Sequence, residues 1–173
     1  MKIKTLILGP LSTNVYLIEK DGECLIVDPA CNSETIKREI NGLNLVGILI
    51  THYHFDHIGA LENLKKHYNV PVIDYNYNSF DMKNFKFKII HNPGHSNDST
   101  SFYFEDEKIM FVGDFIFKET IGRTDLETGN MDEMIESIKM IKNYDDDIIL
   151  YPGHGEKTTL GYEKLNNIYL KEH

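Results

Sequence analysis

The chain has 173 residues, of which 18 are Lys or Arg and 27 Asp or Glu, leaving a formal charge of −9 that argues against nucleic acid as the main partner. With 41% apolar and 26% charged residues it has the composition of an ordinary globular protein, and its length fits one domain spanning residues 1–173. Its longest apolar runs are strand-length, far short of the roughly 20 residues a bilayer requires, and Gly9-Pro10 breaks the first of them before it reaches signal-peptide length. No membrane partner and a cytoplasmic location are therefore expected. Cys24 and Cys31 lack metal-ligand spacing and read as free thiols in a reducing compartment.

In chain order, residues 2–6, 14–18 and 24–27 alternate with the two-residue period of half-buried strands, and Asp21-Gly22 marks a hairpin turn between the last two. Ser33 is placed to cap a short helix over 34–40, which Asn41-Gly42 stops. A buried strand over 45–51 runs into a His-rich turn. Apolar residues Ile58, Leu61 and Leu64 then recur every three positions and predict a helix over 58–67, followed by a strand at 70–73. The second half predicts strands at 85–90, 99–104, 108–112 and 148–151 and a helix near 131–142, with exposed loops over 74–84 and 117–130. Two strand-rich halves, each with helices, imply an α/β fold of two sheets packed face to face with helices outside.

Eight histidines in this length predict about 0.3 in a window of six. His52-Tyr53-His54-Phe55-Asp56-His57 holds three, on a turn at the end of a buried strand. Imidazole and carboxylate suit zinc, and also iron or manganese. One intervening residue lets His52 and His54 converge, while Asp56 and His57 can turn toward a neighbouring ion, so the spacing suggests a two-metal site. Further candidates follow predicted strands: His95 in Pro93-Gly94-His95, Asp114 in Val112-Gly113-Asp114, and His154 in Pro152-Gly153-His154-Gly155. His67, His91 and His173 stand outside these contexts and read as packed or surface residues.

The run Thr51-His52-Tyr53-His54-Phe55-Asp56-His57-Ile58-Gly59 resembles the defining motif of the metallo-β-lactamase-fold hydrolases. The likeness extends through Leu11-Ser12-Thr13-Asn14-Val15-Tyr16-Leu17-Ile18, Val27-Asp28-Pro29, Pro93-Gly94-His95, Gly113-Asp114, Ile121-Gly122-Arg123-Thr124-Asp125 and Pro152-Gly153-His154-Gly155, nearly the whole chain. Thr158-Thr159-Leu160-Gly161-Tyr162-Glu163 resembles the tail of the short glyoxalase II-like branch. Ala60, Ser96-Asn97-Asp98 and Phe115-Ile116 depart from the usual pattern without touching a proposed ligand.

The resemblance implies a four-layer αβ/βα sandwich in which His52, His54 and His95 hold one metal, Asp56, His57 and His154 a second, and Asp114 bridges both. It further implies a metallohydrolase with two divalent ions, zinc first, that cleaves an acyl thioester such as a hydroxyacylglutathione, or an analogue on another thiol, by a metal-bridged hydroxide. Asp56 is then the catalytic group that orients the nucleophile as well as a ligand. The alternatives are a persulfide dioxygenase with one iron, whose last turn is usually Pro-Ala-His-Asp rather than Pro152-Gly153-His154-Gly155, and a metal-binding domain without catalysis. The chain ends soon after His154, where glyoxalase II enzymes continue into a helical domain that completes the glutathione site, so an open and weakly selective thiol pocket is expected. Tyr53 and Phe55 are placed to wall that pocket or to pack under the loop. Arg123 is placed to grip a substrate carboxylate or to pair with an acid such as Asp125 or Asp28.

Overall fold

The computed structural model describes residues 1–77, 82 and 84–173. Its first half contains β1 (Lys2–Leu8), β2 (Thr13–Lys20), β3 (Glu23–Val27), α1 (Ser33–Glu39), β4 (Asn44–Leu49), α2 (Phe55–Ile58), α3 (Leu61–Tyr68) and β5 (Val72–Ile73). These strands form one sheet in the order β1-β2-β3-β4-β5, antiparallel up to β3 and parallel from β3 to β5. The second half contains β6 (Lys88–His91), β7 (Thr100–Phe104), β8 (Ile109–Gly113), β9 (Ile116–Phe117), β10 (Thr120–Ile121), α4 (Met131–Ile141), β11 (Ile149–Pro152), β12 (Thr158–Thr159), α5 (Leu160–Asn166) and α6 (Ile168–Glu172). Its sheet runs β12-β11-β8-β7-β6, and β9 and β10 form a separate hairpin. Among the described residues no helix is long and apolar enough to cross a membrane.

Successive side chains of a strand point to opposite faces, and here both faces of the central strands are covered. Tyr16, Ile18, Leu25, Val27 and Leu49 meet Phe102, Phe104 and Phe111 between the sheets. Their neighbours Val15, Leu17, Cys24, Ile26, Ile48 and Ile50 pack outward against Ile36 of α1 and Leu61 and Leu64 of α3. On the other side Met110, Val112 and Leu150 pack against Met134, Ile138 and Ile141 of α4 and Leu170 of α6. The result is the four-layer αβ/βα sandwich. It corrects the expectation of half-buried strands for β2 and β3, which are apolar on both faces as strands between two layers must be. Of the three strands so expected, the edge strand β1 alone keeps an exposed face.

The Asp21-Gly22 hairpin forms as expected, both residues having positive φ (52° and 80°). Other boundaries move. The cap of α1 is Asn32, not Ser33: Asn32 takes the left-handed conformation and its side chain accepts from Thr35 N–H. The helix expected over 58–67 is two pieces, because the chain turns at Gly59-Ala60, where Ala60 N–H bonds Pro29 O. That break lets Asp56 and His57 ride on a helical turn of their own. The loop expected over 74–84 is not all exposed, since Met82 is buried between the sheets; 78–81 and 83 lie outside the described residues. The loop expected over 117–130 contains the β9–β10 hairpin. Cys24 is buried, Cys31 half-buried, and both are free thiols.

Candidate metal centre

Every residue of the His-rich turn and its partners stands beyond the C-terminal end of a strand, where backbone hydrogen bonding stops and side chains can converge. Thr51 and His52 follow β4, Asp114 follows β8, and His154 follows β11 across Gly153. His95 lies in the turn after β6. The structure brings all seven expected residues together. Ligand atoms of His52, His54 and His95 lie within 4.8 Å of one another, as do those of His52, His57 and Asp114, and those of Asp56, His57 and His154.

Asp114 sits between the sets, its Oδ2 3.5 Å from His95 Nε2 and from His154 Nε2, and its Oδ1 3.4 Å from His57 Nε2. Asp56 Oδ2 is 3.4 Å from His57 Nε2 and 3.3 Å from His154 Nε2. His54 Nδ1 and His95 Nε2 are 2.9 Å apart. These separations are close to the edges of a coordination shell with bonds of roughly 2.0–2.2 Å.

The imidazoles are oriented by their other nitrogens. His95 Nδ1 donates to Arg123 O (2.7 Å) and His154 Nδ1 to Leu11 O (3.1 Å). His57 Nδ1 donates to Asp28 Oδ2 (2.9 Å). Thr51 Oγ1 already donates to Asp28 Oδ2 (2.6 Å), so it accepts from His52 Nδ1 at 3.1 Å. Each of these four rings, when neutral, therefore turns an Nε2 lone pair inward. A hydrogen-bond network alone leaves this unexplained: His52 Nε2, His57 Nε2 and Asp114 Oδ1 are buried and make no hydrogen bond among the described residues. Buried polar atoms without partners are costly, and three of them aimed at one point fit a cation.

Without a cation the electrostatics divide the rings: His52 and His54 are kept neutral, whereas the carboxylates favour a proton on His57 and His154, the place an ion would take. Burial, helped by the neighbouring imidazoles, holds His52 and His54 below the ordinary imidazole range and so neutral. Burial also opposes charge on His57, but Asp28 and Asp114 outweigh it and carry its pKa up to about 10. The hydrogen bond to Asp114 raises His154. Burial would raise Asp114, yet His154 and His57 hold it well below the usual carboxylate range. It stays an anion in a buried place.

Several residues that orient the cluster carry no signal of their own in the sequence. Asp28 takes a positive φ (50°) and accepts from Thr51 N–H (2.8 Å) as well as from Thr51 Oγ1 and His57. Thr13 Oγ1 donates to Asp56 Oδ2 (2.9 Å). Asn14 Nδ2 donates to Pro152 O and Gly155 O, and Tyr16 Oη to Pro152 O, which clamps the turn bearing His154. Gly153 is there for space: a Cβ on it would strike Asp114 Oδ1 and lie 2.6 Å from His57 Cε1. In the sequence, Thr13, Asn14 and Tyr16 fall within the family-like run Leu11 to Ile18, and Asp28 within Val27-Asp28-Pro29.

A cleft of about 690 Å³ opens over the cluster. Phe55 lines it, 73% exposed rather than packed under the loop. Tyr53 lines it too, its N–H bonded to Asp98 Oδ2 and its hydroxyl to Asp74 Oδ2, both 2.9 Å. Arg123 forms a bidentate pair with Asp125 (both contacts 2.7 Å), the structural one of its two expected roles. His91 stands apart, stacked on Tyr75 and donating to Asn97 O.

A family profile for the metallo-beta-lactamase superfamily matches residues 8–76 and 73–154. The chain is 31% identical to hydroxyacylglutathione hydrolase GloC of Haemophilus influenzae across 98% of both proteins. Among solved structures it superposes on BLEG-1, a B3 metallo-beta-lactamase, with a TM-score of 0.92 and 31% identity over 98% of this chain and 99% of that one. It superposes on TTHA1623, solved in a di-iron-bound form, with a TM-score of 0.86 and 29% identity over 96% and 99%. Fold, sequence and convergent donors lead to one conclusion: the chain belongs to the metallo-beta-lactamase superfamily.

Proposed function

We propose that the chain is a dinuclear metal-dependent hydrolase that cleaves acyl thioesters. His52, His54 and His95 would hold one ion and Asp56, His57 and His154 the other, with Asp114 shared. Zinc suits this donor set, and iron or manganese also fits. The observation that carries the reading is the pair of donor sets meeting at Asp114, where His52 Nε2, His57 Nε2 and Asp114 Oδ1 are buried without a hydrogen bond among the described residues. Ions in that position supply an acidified water and a Lewis acid for a carbonyl.

The chain's own residues supply the rest. Asp56, its Oδ2 steadied by Thr13 Oγ1, lines the cleft, where its carboxylate can orient an attacking water as well as serve as a ligand. Tyr53 and Phe55 form part of one wall of the cleft. No positioned acid is needed for departure of the thiol, because a thiolate of pKa roughly 8.5 leaves unaided. The similarity to a hydroxyacylglutathione hydrolase over nearly both full lengths supports thioesters over other acyl bonds.

The test is elemental analysis of protein loaded in turn with zinc, iron and manganese, coupled to a panel of thioesters, esters and a β-lactam and to oxygen uptake with a persulfide. Two ions per chain and thioester cleavage are expected, with His154→Ala losing one ion and turnover together. One ion per chain, β-lactam cleavage without thioester cleavage, or iron-dependent oxygen uptake in its place would overturn the reading.

A further inference from the structure

The cleft is edged by four of the eleven exposed large apolar side chains among the described residues: Leu11 (51% exposed), Tyr53 (43%), Phe55 (73%) and Leu126 (37%). They arrive from separate segments: the turn before β2, the His-rich turn with α2, and the stretch ahead of α4. Their convergence is therefore not the local composition of one loop. Scattered apolar residues on a surface need no explanation, whereas four around one concave site mark contact with an apolar ligand.

Charge on the same walls points the same way. Arg123 is the one Lys or Arg lining the cleft among the described residues, and Asp125 occupies its guanidinium through two contacts of 2.7 Å. Outside the donor cluster the walls carry Asp98 and Glu127, neither with a cation partner among the described residues. Asp98 is held in place by Tyr53 N–H. A carboxylate on the substrate finds no free side-chain cation on these walls, because Arg123 is paired with Asp125, and it meets Asp98 and Glu127 as like charges, so only the ions of the centre itself would attract it.

Resting on the thioesterase reading, we infer that the substrate is an uncharged, lipophilic acyl thioester, its acyl group seated against Leu11, Phe55 and Leu126 and its carrier thiol free of carboxylates. Thioesters of glutathione, which carries two carboxylates, then rank among the poor substrates.

The test uses the metal-loaded protein and two carriers, N-acetylcysteamine and glutathione, each bearing acetyl or hexanoyl. Binding is measured with ketone analogues in which a methylene replaces the sulfur, and kcat/KM with the thioesters themselves. Hexanoyl should bind about tenfold tighter than acetyl on the neutral carrier, the gain from partly burying four methylenes. At low salt the neutral carrier should be favoured over glutathione by about tenfold, and the gap should shrink as salt is added. Phe55→Ser and Leu126→Ser, both at exposed positions that tolerate the change, should flatten the chain-length gain, and Glu127→Gln should narrow the carrier gap. Equal or tighter binding of the glutathione ketone, or affinity indifferent to chain length, would overturn the inference. The two readings fail separately: preferred binding of the neutral hexanoyl ketone with no thioester cleaved sinks the reaction class and leaves this assignment standing, whereas cleavage that favours glutathione does the reverse.

Discussion

Asp28 satisfies three donors with two oxygens: Thr51 N–H on Oδ1, and Thr51 Oγ1 and His57 Nδ1 on Oδ2. An amide in its place keeps the left-handed backbone, which Asn tolerates, but turns an NH₂ toward one of those donors. Asp28→Asn should thus leave the fold intact while His57 loses its fixed orientation. Metal affinity should fall about 10- to 100-fold, the usual consequence of removing a ligand's orienting partner. Competition against a chromophoric chelator measures it, and unchanged affinity would show that His57 needs no such support. Gly153 makes a steric demand of a different kind. Gly153→Ala places a methyl against Asp114 Oδ1 and His57 Cε1, so one of them must shift. A displacement of about 1 Å at reacting groups can cost about a hundredfold in rate, and kcat should drop by that order while the circular dichroism spectrum stays as in the parent. Turnover within about threefold of the parent would mean the centre yields without penalty.

At the level of elements, the tail positions a loop of the centre from a distance. Glu163 of α5 is fully buried and accepts from Glu119 N–H (2.8 Å), Thr158 Oγ1 (2.6 Å) and Asn167 Nδ2 (2.9 Å), while Asn167 Nδ2 also reaches Thr120 O. The β9–β10 hairpin is pinned by these bonds, and the chain leaving it passes through Arg123, whose carbonyl holds His95. Glu163→Ala strands a buried hydroxyl and a backbone N–H and should cost about 3 kcal/mol, or roughly 6–12 °C in Tm for a chain of this size. Leu165→Ala on the same helix, at a side chain 73% exposed, should move Tm by about 1–2 °C at most. Equal shifts for the two variants would refute the clamp. The run Thr158 to Glu163 was legible as a family-like tail, but its clamping contacts were not. Gly161 and the polar run around it hide α5, and the bonds of Glu163 to the hairpin join residues more than 40 positions apart. The His and Asp cluster, by contrast, was legible, because ligand chemistry concentrates rare residue types at strand-end turns. The sheets were legible as apolar runs, although two-sided burial blurred the two-residue period in β2 and β3. Asp28, Thr13 and Asn14 stayed silent because a buried acid or amide looks like a turn former until the fold brings its partner near.

For the molecule as a whole, the donors divide between the two sheets. His52, His54, Asp56 and His57 follow β4 of the first, and His95, Asp114 and His154 belong to the second. The contacts His54–His95, His57–Asp114 and Asp56–His154 all cross between these halves. Apolar packing of Tyr16, Phe102, Phe104 and Phe111 joins the sheets through the middle of the sandwich, so the fold does not depend on the centre alone. At the site edge, however, a cation would be bound by both halves at once and by neither when they part. Binding confined to the folded state stabilises it by about 4 kcal/mol at a free metal concentration a thousandfold above Kd, which for this length corresponds to roughly 8–16 °C. Removing metal with a chelator should lower Tm by that amount, and adding zinc back should restore it. His54→Ala and His154→Ala, one from each half, should each keep an apo Tm near that of the parent while gaining less from zinc. An equal zinc-induced gain in both variants and the parent would place the stabilising metal elsewhere than between the halves.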